Sequence, residues 1–303
     1  MVMKPDWLDV KEYPFESKYL ALEAGNMHYI DEGQGSAIVM IHGTPSWSFI
    51  YRNLIKKLQD NHRCVAMDMI GFGLSDKPTD WDYKPRSHAA NFEMLMEHLQ
   101  LKDITLVVHD FGAPIGLAYA IKHPENVRNI VMLNTWTWSL SSHHEFTKAS
   151  KYLVGPLGKF LHSKLEISTK ALVNTLFDDE TNLPEPIRQH YVQALGNPDE
   201  QVGALACARE LVGASKWYEE LWHHRKNLQD IPTLILWGER DKLVKIGALY
   251  SWKKFFHECY VIHFEDGGHF LQEEKAKELA SYISNVIKEE QKKKEMELHE
   301  KTN

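Results

Sequence analysis

A single carboxylate stands at the end of an apolar run, directly before a helical pattern of small residues. The run Thr105–Val108 is followed by His109 and Asp110, and then by Phe-Gly-Ala-Pro-Ile-Gly. A strand that turns sharply into a helix presents the side chain at the bend above the sheet, as nucleophiles are presented in many enzymes. Gly112 provides the close backbone approach that such a turn demands. Because a carboxylate is already ionised at neutral pH, Asp110 could displace a leaving group from saturated carbon without help from a base.

Two later segments each add a polar residue that could cooperate with Asp110. Asp241 comes three residues after Gly238, and His269 follows the pair Gly267-Gly268. Taken singly, Asp110 could be only a helix N-cap, Asp241 a turn residue and His269 a loop histidine. Together they follow the chain order nucleophile, acid, base of the α/β-hydrolase triad, each after its own strand. We therefore predict that Asp110 is the nucleophile, Asp241 the orienting acid and His269 the base.

A further segment, His42-Gly43-Thr44-Pro45, follows the earliest well-defined buried strand. In α/β hydrolases, a backbone N–H from the loop at this place and the N–H after the nucleophile form the oxyanion hole. Because Pro45 has no N–H, the pattern assigns these donors to Thr44 and Phe111. His42 itself is interpreted as a structural residue of a tight turn.

Short apolar runs alternate with helical patterns along most of the chain. Runs that are apolar on both faces are typical of parallel strands buried between helices. The polar motifs above stand at the ends of such runs, where α/β sheets bind ligands. The predicted strands are Asn26–Ile30, Ala37–Ile41, Arg63–Met69, Thr105–Val108, Val127–Leu133, Thr233–Trp237 and Tyr260–Phe264. We predict an α/β fold with a mostly parallel central sheet, flanking helices and an inserted helical cap.

The alternation stops between Asn134 and Asp230. This stretch is rich in Trp, His, Leu and Lys, and it has helical patterns but no comparable strand-like run. We interpret residues 136–229 as a helical cap inserted into a core domain made of residues 1–135 and 230–303. An ordinary long run of sheet-covering helices is the alternative.

Composition and charge limit the class of protein and its partners. The 303 residues are 43% hydrophobic and 25% charged, with a formal net charge of -7, so a basic nucleic-acid-binding surface is not expected. The three cysteines are odd in number and fit no metal motif, which indicates free thiols in a reducing compartment. No signal-peptide pattern or membrane span is recognised. We expect a cytoplasmic protein, monomeric or a small homo-oligomer, that acts on a small molecule and binds neither nucleic acid nor membrane.

Taken together, these segments resemble the haloalkane dehalogenase family, close kin of the epoxide hydrolases. The resemblance extends over most of the chain outside the predicted cap, and the Gly-Phe-Gly-Leu-Ser-Asp-Lys-Pro run is especially similar. It rests on the segments His42–Ser48, Asp68–Pro78, Val107–Gly112, Trp237–Asp241 and Gly267–Phe270.

The resemblance implies a two-step hydrolysis that needs no metal or organic cofactor. Asp110 attacks carbon and expels the leaving group. His269, held by Asp241, then activates a water molecule that attacks the ester formed on Asp110, and the amides of Thr44 and Phe111 hold the oxyanion.

The chain departs from the family pattern at two site residues. Members usually carry Trp directly after the nucleophile, and its indole N–H holds the departing halide, whereas this chain has Phe111. Many members carry Asn where this chain has Thr44. In one subfamily, the acid of the triad is a Glu that follows the preceding strand. At that position this chain has the segment Leu133–Trp136, which contains no acidic residue, so Asp241 is preferred. The candidates for replacing the missing indole are Trp47, Trp136, Trp138 and Trp217.

Two other functions remain open at this point. Epoxide hydrolysis uses the same triad and ester but needs acidic O–H groups from the cap, for which Tyr152 and Tyr191 are candidates. A hydrolase-like protein that binds a small molecule with little turnover is the other alternative, against which the intact triad argues.

Overall fold

The computed structural model describes residues 4–142, 183–197 and 200–302, with side chains described as far as residue 292. Its strands are β1 Lys18–Leu22, β2 Gly25–Glu32, β3 Ser36–Ile41, β4 His62–Met67, β5 Ile104–His109, β6 Val127–Leu133, β7 Thr233–Gly238 and β8 Cys259–Phe264. Its α-helices are α1 Arg52–Leu58, α2 Pro85–Leu99, α3 Gly112–Lys122, α4 Glu185–Ala194, α5 Val202–Gly213, α6 Ser215–His224, α7 Gly247–Phe255, α8 Leu271–Glu274 and α9 Ala276–Thr302. Short 3₁₀ turns cover Ser48–Tyr51, Pro124–Asn126 and Arg225–Leu228.

The strands form one eight-stranded sheet in the order β1-β2-β4-β3-β5-β6-β7-β8. Strands β1 and β2 run antiparallel to their neighbours, and every pairing from β4 through β8 is parallel. Every predicted strand is present, and the α/β fold with a mostly parallel sheet is confirmed. The sequence analysis missed β1, because this edge strand is only partly buried and so shows no continuous apolar run.

Helices cover both faces of the sheet, and strand β3 shows why its sequence is apolar throughout. Val39 and Ile41 join the hydrophobic cluster that contains residues of α2 and α3. Ile38 and Met40 point to the opposite face and join the cluster that contains residues of α1 and α9. Successive side chains of a strand face opposite sides, so a strand between two helical layers must be apolar at every position. This arrangement brings the ends of β3, β5, β7 and β8, which carry the candidate site residues, to one edge of the sheet.

The described parts of the predicted cap, residues 136–142, 183–197 and 200–229, contain helices and no strand. These helices follow β6 and precede β7, where the sequence placed the insertion. The domain boundaries stay a prediction. No helix in the described part of the chain is long and apolar enough to span a membrane. All three cysteines are outside disulfides; Cys64 and Cys207 are buried, while Cys259 is half-buried.

Candidate active site

Asp110 occupies the bend between β5 and α3 in a backbone conformation that few side chains adopt. Its φ of 50° lies in the left-handed region, and its side chain is buried. The bend is tight, because a Cβ atom at Gly112 would collide with the carbonyl oxygen of Ile41. A Cβ atom at Gly43 would likewise collide with the carboxylate of Asp110. Backbone strain of this kind costs about 1–3 kcal/mol and persists where the surrounding structure holds it. The strand-to-helix bend that the sequence predicted is therefore present.

The two oxygens of the Asp110 carboxylate have different surroundings. The backbone N–H of Thr44 donates to Oδ1 at 2.9 Å, and the amide of Phe111 also hydrogen-bonds the carboxylate. Oδ2 faces His269, whose Nε2 lies 3.8 Å away. The N–H of Thr44 thus contacts Oδ1, the N–H of Phe111 contacts the same carboxylate, and the imidazole of His269 lies beside Oδ2. Two preorganised N–H groups at this point could stabilise a negative charge that develops on Oδ1.

His269 is held by Asp241 at the side of the ring remote from Asp110. Its Nδ1 lies 2.7 Å from Oδ2 of Asp241, and since a carboxylate only accepts, Nδ1 carries the proton. The other oxygen of Asp241 accepts the N–H groups of Leu243 at 2.7 Å and Val244 at 3.0 Å, which fixes the carboxylate. In the neutral imidazole, Nε2 of His269 therefore carries no proton, and it has no hydrogen-bond partner among the described residues. The structure therefore brings Asp110, His269 and Asp241 together in the geometry of an acid-oriented base next to a carboxylate.

Burial and neighbouring charges shift the pKa values of both groups that face each other. Burial raises the pKa of Asp110 above its ordinary value, although His269 and the two amides of Phe111 and Thr44 act in the opposite direction. Burial alone would lower the pKa of His269, but the adjacent Asp241 carboxylate and the charge of Asp110 outweigh it, so this pKa is raised. Asp110 thus needs a higher pH to ionise than an exposed aspartate, and His269 is a stronger base than an isolated imidazole.

The end of β6 carries an amide in place of an acid. Asn134 donates its Nδ2–H to the carbonyl of Gly238 at 2.9 Å and accepts the Gly238 N–H on Oδ1 at 2.8 Å. Its side chain therefore ties β6 to the end of β7. This strand end leads directly to Asp241, so the contact also helps to place the acid.

Three of the four candidate indoles have other surroundings in the structure. The N–H of Trp47 donates to the carbonyl of His190 at 3.2 Å. Trp138 packs among other indole rings, and Trp217 packs against the ring of Tyr218. None of these observations links their N–H groups to the Asp110 carboxylate.

Trp136 is the candidate that lies beside Phe111. The two rings meet edge to face with centroids 5.2 Å apart, and both side chains are buried. The indole N–H of Trp136 is buried and has no acceptor among the described residues. A buried donor without a partner is uncommon in native proteins and calls for a functional or structural explanation.

The tyrosines proposed as acids have different outcomes. Tyr191, on α4, is buried, and its hydroxyl donates to the carboxylate of Glu273, which also forms a buried ion pair with Arg52. This hydroxyl therefore links the predicted cap to the core instead of facing Asp110. Tyr152 lies outside the described residues.

Two residues near Asp110 were not found by sequence reasoning. Cys207, on α5, lies against the hydroxyl of Thr44. Tyr218, on α6, is buried close enough to Asp110 for the charge of that carboxylate to raise its pKa. Burial raises the pKa of both side chains, so both are neutral near pH 7. Their helical patterns gave no signal of this placement, because it depends on how α5 and α6 pack against distant parts of the chain. In the part of the chain that the structure describes, no group of three or more His, Cys, Asp or Glu side chains is arranged so that it could hold a metal ion.

Comparison with known proteins gives both a family and a set of relatives. The family model described as the alpha/beta hydrolase fold matches residues 36–182 and 207–276. A haloalkane dehalogenase of Mycolicibacterium paratuberculosis is 31% identical over 294 residues, covering 91% of this chain and 93% of that relative. A cis-3-alkyl-4-alkyloxetan-2-one decarboxylase of Shewanella oneidensis is 31% identical over 284 residues, covering 91% of this chain and 89% of that relative.

Solved structures give the same fold. The haloalkane dehalogenase DbeA of Bradyrhizobium elkani superimposes with a TM-score of 0.82 at 21% identity, covering 91% of this chain and 99% of the other. The haloalkane dehalogenase DatA of Agrobacterium tumefaciens superimposes with a TM-score of 0.81 at 23% identity, covering 91% and 97% of the two chains.

Proposed function

This chain belongs to the haloalkane dehalogenase family within the α/β-hydrolase fold, and from that premise we propose that it hydrolyses carbon–halogen bonds through an ester on Asp110. The observation that carries the proposal is the carboxylate itself. One oxygen of Asp110 accepts the Thr44 N–H at 2.9 Å, and the other lies 3.8 Å from Nε2 of His269. A serine hydrolase would need a hydroxyl and a base hydrogen-bonded to it, whereas this carboxylate needs no activation.

In the first step, Oδ2 of Asp110 attacks the carbon that bears the halogen. A carbon–oxygen bond forms, the carbon–halogen bond breaks, and its electron pair leaves with the halide. Oδ1 becomes the carbonyl oxygen of the ester, and it already accepts the Thr44 N–H. No proton moves in this step, so it depends on ionised Asp110 and on the stabilisation of the halide.

In the second step, His269 takes a proton from a water molecule that attacks the ester carbonyl. The negative charge moves to Oδ1, where the amides of Thr44 and Phe111 stabilise it. When this intermediate collapses, the bond between the carbonyl carbon and the alkyl oxygen breaks, and His269 returns a proton to the alcohol. Asp110 then loses its proton to solvent, so the net products are alcohol, halide and one proton. Asp241 stabilises the imidazolium that forms transiently.

We expect Trp136→Phe to slow halide release by about 10- to 100-fold, since a hydrogen bond to a charged group contributes about 1.5–3 kcal/mol. The N–H of Trp136 is the unpaired donor beside Phe111, and it would supply the hydrogen bond that Phe111 cannot. The loss should be larger for chloroalkanes than for iodoalkanes, because chloride depends more on a donor. Single-turnover halide release measures this effect.

Trp237→Phe is the matched control for this prediction, since it also removes a buried indole N–H that has no acceptor among the described residues. It should leave the halide dependence unchanged. Adding Phe111→Trp to the Trp136→Phe protein should restore part of the rate. An equal loss for all halides in both single variants would contradict the role of Trp136.

The two steps are expected to lose activity in different pH ranges. The first step needs ionised Asp110, and burial raises the pKa of this carboxyl above 3.8. The second step needs neutral His269. Burial alone would lower the pKa of His269, but the Asp241 carboxylate raises it above 6.5. Alkylation removes the charge of Asp110, so in the ester the pKa of His269 falls somewhat, but the Asp241 contact remains. As pH falls, ester hydrolysis should therefore fail first, and ester should accumulate.

Rapid-quench measurements of halide release and of ester decay across about pH 4 to 8 test this order. The predicted order would be wrong if, as pH falls, halide release lost its rate before ester hydrolysis did.

A second candidate is the opening and decarboxylation of a cis-3-alkyl-4-alkyloxetan-2-one, the reaction named for the Shewanella relative. The observation that favours it is Phe111, which gives no N–H to a leaving halide. An oxygen leaving group that stays attached to the substrate has less need of such a donor.

A substrate panel decides between these functions. Wild-type protein is assayed with chloro-, bromo- and iodoalkanes, with alkyl and aryl epoxides, and with a cis-3,4-dialkyl oxetan-2-one. Release of halide with formation of an alcohol from the haloalkanes supports a dehalogenase. Formation of a diol from the epoxides supports an epoxide hydrolase. Formation of an alkene and carbon dioxide from the oxetan-2-one supports the second candidate. Binding of these compounds without any product would support the alternative of a binding protein with little turnover.

The remaining proposals concern the setting of the reaction. Residues 136–229 would act as a cap over the site, which the placement of Cys207 and Tyr218 near Asp110 supports. The reaction would proceed without a cofactor, because the carboxylate, imidazole and amides supply each step.

The buried thiols of Cys64 and Cys207 support a location in the cytoplasm. Monomer or small homo-oligomer stays a proposal, which light scattering can test.

A further inference from the structure

His109 is a buried ionisable residue that the proposed mechanism does not use. It is the last residue of β5, directly before Asp110, and it is fully buried. The preceding residues Leu106–Val108 are apolar and pack into the cores on both faces of the sheet. A polar ring at the end of such a strand carries a desolvation penalty that an apolar side chain would avoid. Its presence next to the nucleophile therefore calls for an explanation.

The ring of His109 contacts the backbone of the base. Its Nε2 lies 2.9 Å from the carbonyl oxygen of His269, and the two rings are 4.6 Å apart between centroids. A carbonyl oxygen only accepts, so Nε2 of His109 carries the proton and Nδ1 does not. Nδ1 has no partner among the described residues, so the hydrogen bond to His269 is the one that this side chain makes there.

This donor remains neutral throughout the reaction. Burial lowers the pKa of His109 well below its ordinary value, and the positive charge that His269 can carry lowers it further. The ring therefore keeps one fixed tautomer when His269 becomes an imidazolium. A charged neighbour at this distance would oppose the protonation of the base, and a neutral one does not.

The contact with His109 adds to the hydrogen bonds that hold the two glycines before the base. Gly267 donates its N–H to the carbonyl of Phe264 at 3.0 Å and accepts the N–H of Arg240 at 2.9 Å. Gly267 and Gly268 precede His269, and Gly268 donates its N–H to Glu274 at 2.7 Å. Asp241 holds the imidazole through Nδ1 at 2.7 Å, but that bond alone permits the ring to pivot about it. A hydrogen bond to the backbone carbonyl of the same residue fixes the backbone from which the ring extends, so the two bonds together limit the direction in which Nε2 points.

We propose that His109 is a positioning residue that holds His269 through its backbone carbonyl and so acts on ester hydrolysis alone. The inference rests on the proposed function. It predicts a split between the two steps, because attack by Asp110 involves no proton transfer and hydrolysis depends on where His269 Nε2 points. Displacement of a reacting group by about 1 Å can reduce a rate about 100-fold.

Three substitutions at residue 109 test the position of the donor. His109→Leu removes the N–H. In His109→Gln, the amide nitrogen is three bonds from Cβ, as Nε2 of histidine is, so the donor is kept. In His109→Asn, the amide nitrogen is two bonds from Cβ, as Nδ1 is, so the donor is misplaced. The Gln and Asn variants share their chemistry and differ in reach, which makes them matched controls.

Rapid-quench single turnovers with a bromoalkane measure halide release and ester decay separately in each variant. We expect His109→Leu and His109→Asn to slow ester decay by about 10- to 100-fold with halide release within about twofold of wild type. His109→Gln should recover ester decay to within about threefold of wild type. Equal losses in both steps, equal values for Gln and Asn, or an unaffected Leu variant would overturn the proposal. If the Leu variant does not fold, the comparison of Gln with Asn decides.

A second readout does not depend on turnover. The proton on His269 Nδ1, shared with Asp241 at 2.7 Å, should give a low-field proton resonance in NMR spectra. This resonance should persist in wild type and His109→Gln and broaden in the Leu and Asn variants. If His269→Gln forms no alkyl adduct on Asp110 with a substrate that wild type turns over, but this pattern holds in the variants at residue 109, the proposed function fails and the positioning role stands. An unchanged resonance in all variants overturns the positioning role.

Discussion

Asp110→Asn is expected to reduce turnover by at least about 10⁴-fold, the loss typical of removing an enzyme's nucleophile. The amide has the size of the carboxylate but carries no negative charge, so it cannot displace a halide from saturated carbon. Thr44 and Phe111 would still contact the side chain, so binding of the substrate should change little. Steady-state halide release, with the intact mass of the protein checked for conversion of Asn back to Asp, measures the result.

Stability separates this effect from misfolding. Burial raises the pKa of Asp110 in the folded protein above its value in the unfolded chain. At pH values above the unfolded pKa, the free energy of unfolding is therefore lower than it would be with a neutral side chain at this position. The neutral amide should therefore leave the melting temperature equal to or above that of wild type. Asp60→Asn, the same change at an exposed position after α1, is the control and should have no effect on either quantity. Full turnover by Asp110→Asn, after exclusion of conversion to Asp, would remove the basis of the proposed function.

The residues that both the sequence and the structure bring together share a local signal. Asp110, Asp241 and His269 each follow a buried strand, and the parallel order of those strands brings their carboxyl ends together. The hydrophobic pattern that predicts each strand and the place of each polar residue at a strand end are enough for this inference. The carboxyl ends of parallel strands lie along one edge of the sheet, where α/β proteins bind ligands. The amides of Thr44 and Phe111 could be predicted for the same reason, since they belong to the residues next to those strand ends.

What could not be predicted depends on packing between distant segments. Four tryptophans were equal candidates in the sequence, and only the packed structure places Trp136 beside Phe111. The sequence makes Tyr191 a candidate acid, whereas in the structure its hydroxyl donates to Glu273, 82 residues away in the chain. Cys207 and Tyr218 have no local motif at all. Their positions follow from how helices α5 and α6 pack on the rest of the chain, which hydrophobic periodicity does not specify.

His269→Gln is expected to stop the reaction after its first step and leave the alkyl ester on Asp110. The amide nitrogen of glutamine reaches as far as Nε2 and not Nδ1, so the variant keeps a polar group near Asp110 but weakens the contact with Asp241. The amide cannot accept a proton from water near neutral pH. General-base catalysis contributes about 10²–10⁴ to a rate, and ester hydrolysis should slow by that factor. Attack by Asp110 involves no proton transfer and should continue, so each enzyme molecule should release one halide in a burst and then stop.

Mass spectrometry of the peptide that contains Asp110 identifies the trapped ester by the added mass of the alkyl group. Two bromoalkanes of different chain length should give two different increments on the same residue, which separates an ester from adventitious oxidation. His269→Phe is a second variant with the same expected adduct, although it leaves the buried Asp241 without its imidazole partner and should be less stable. A substrate that wild type turns over but that leaves no adduct in either variant would rule out a covalent intermediate on Asp110. Because the ester is the feature that separates this site from one in which His269 activates water directly on the substrate, its capture decides between the two mechanisms.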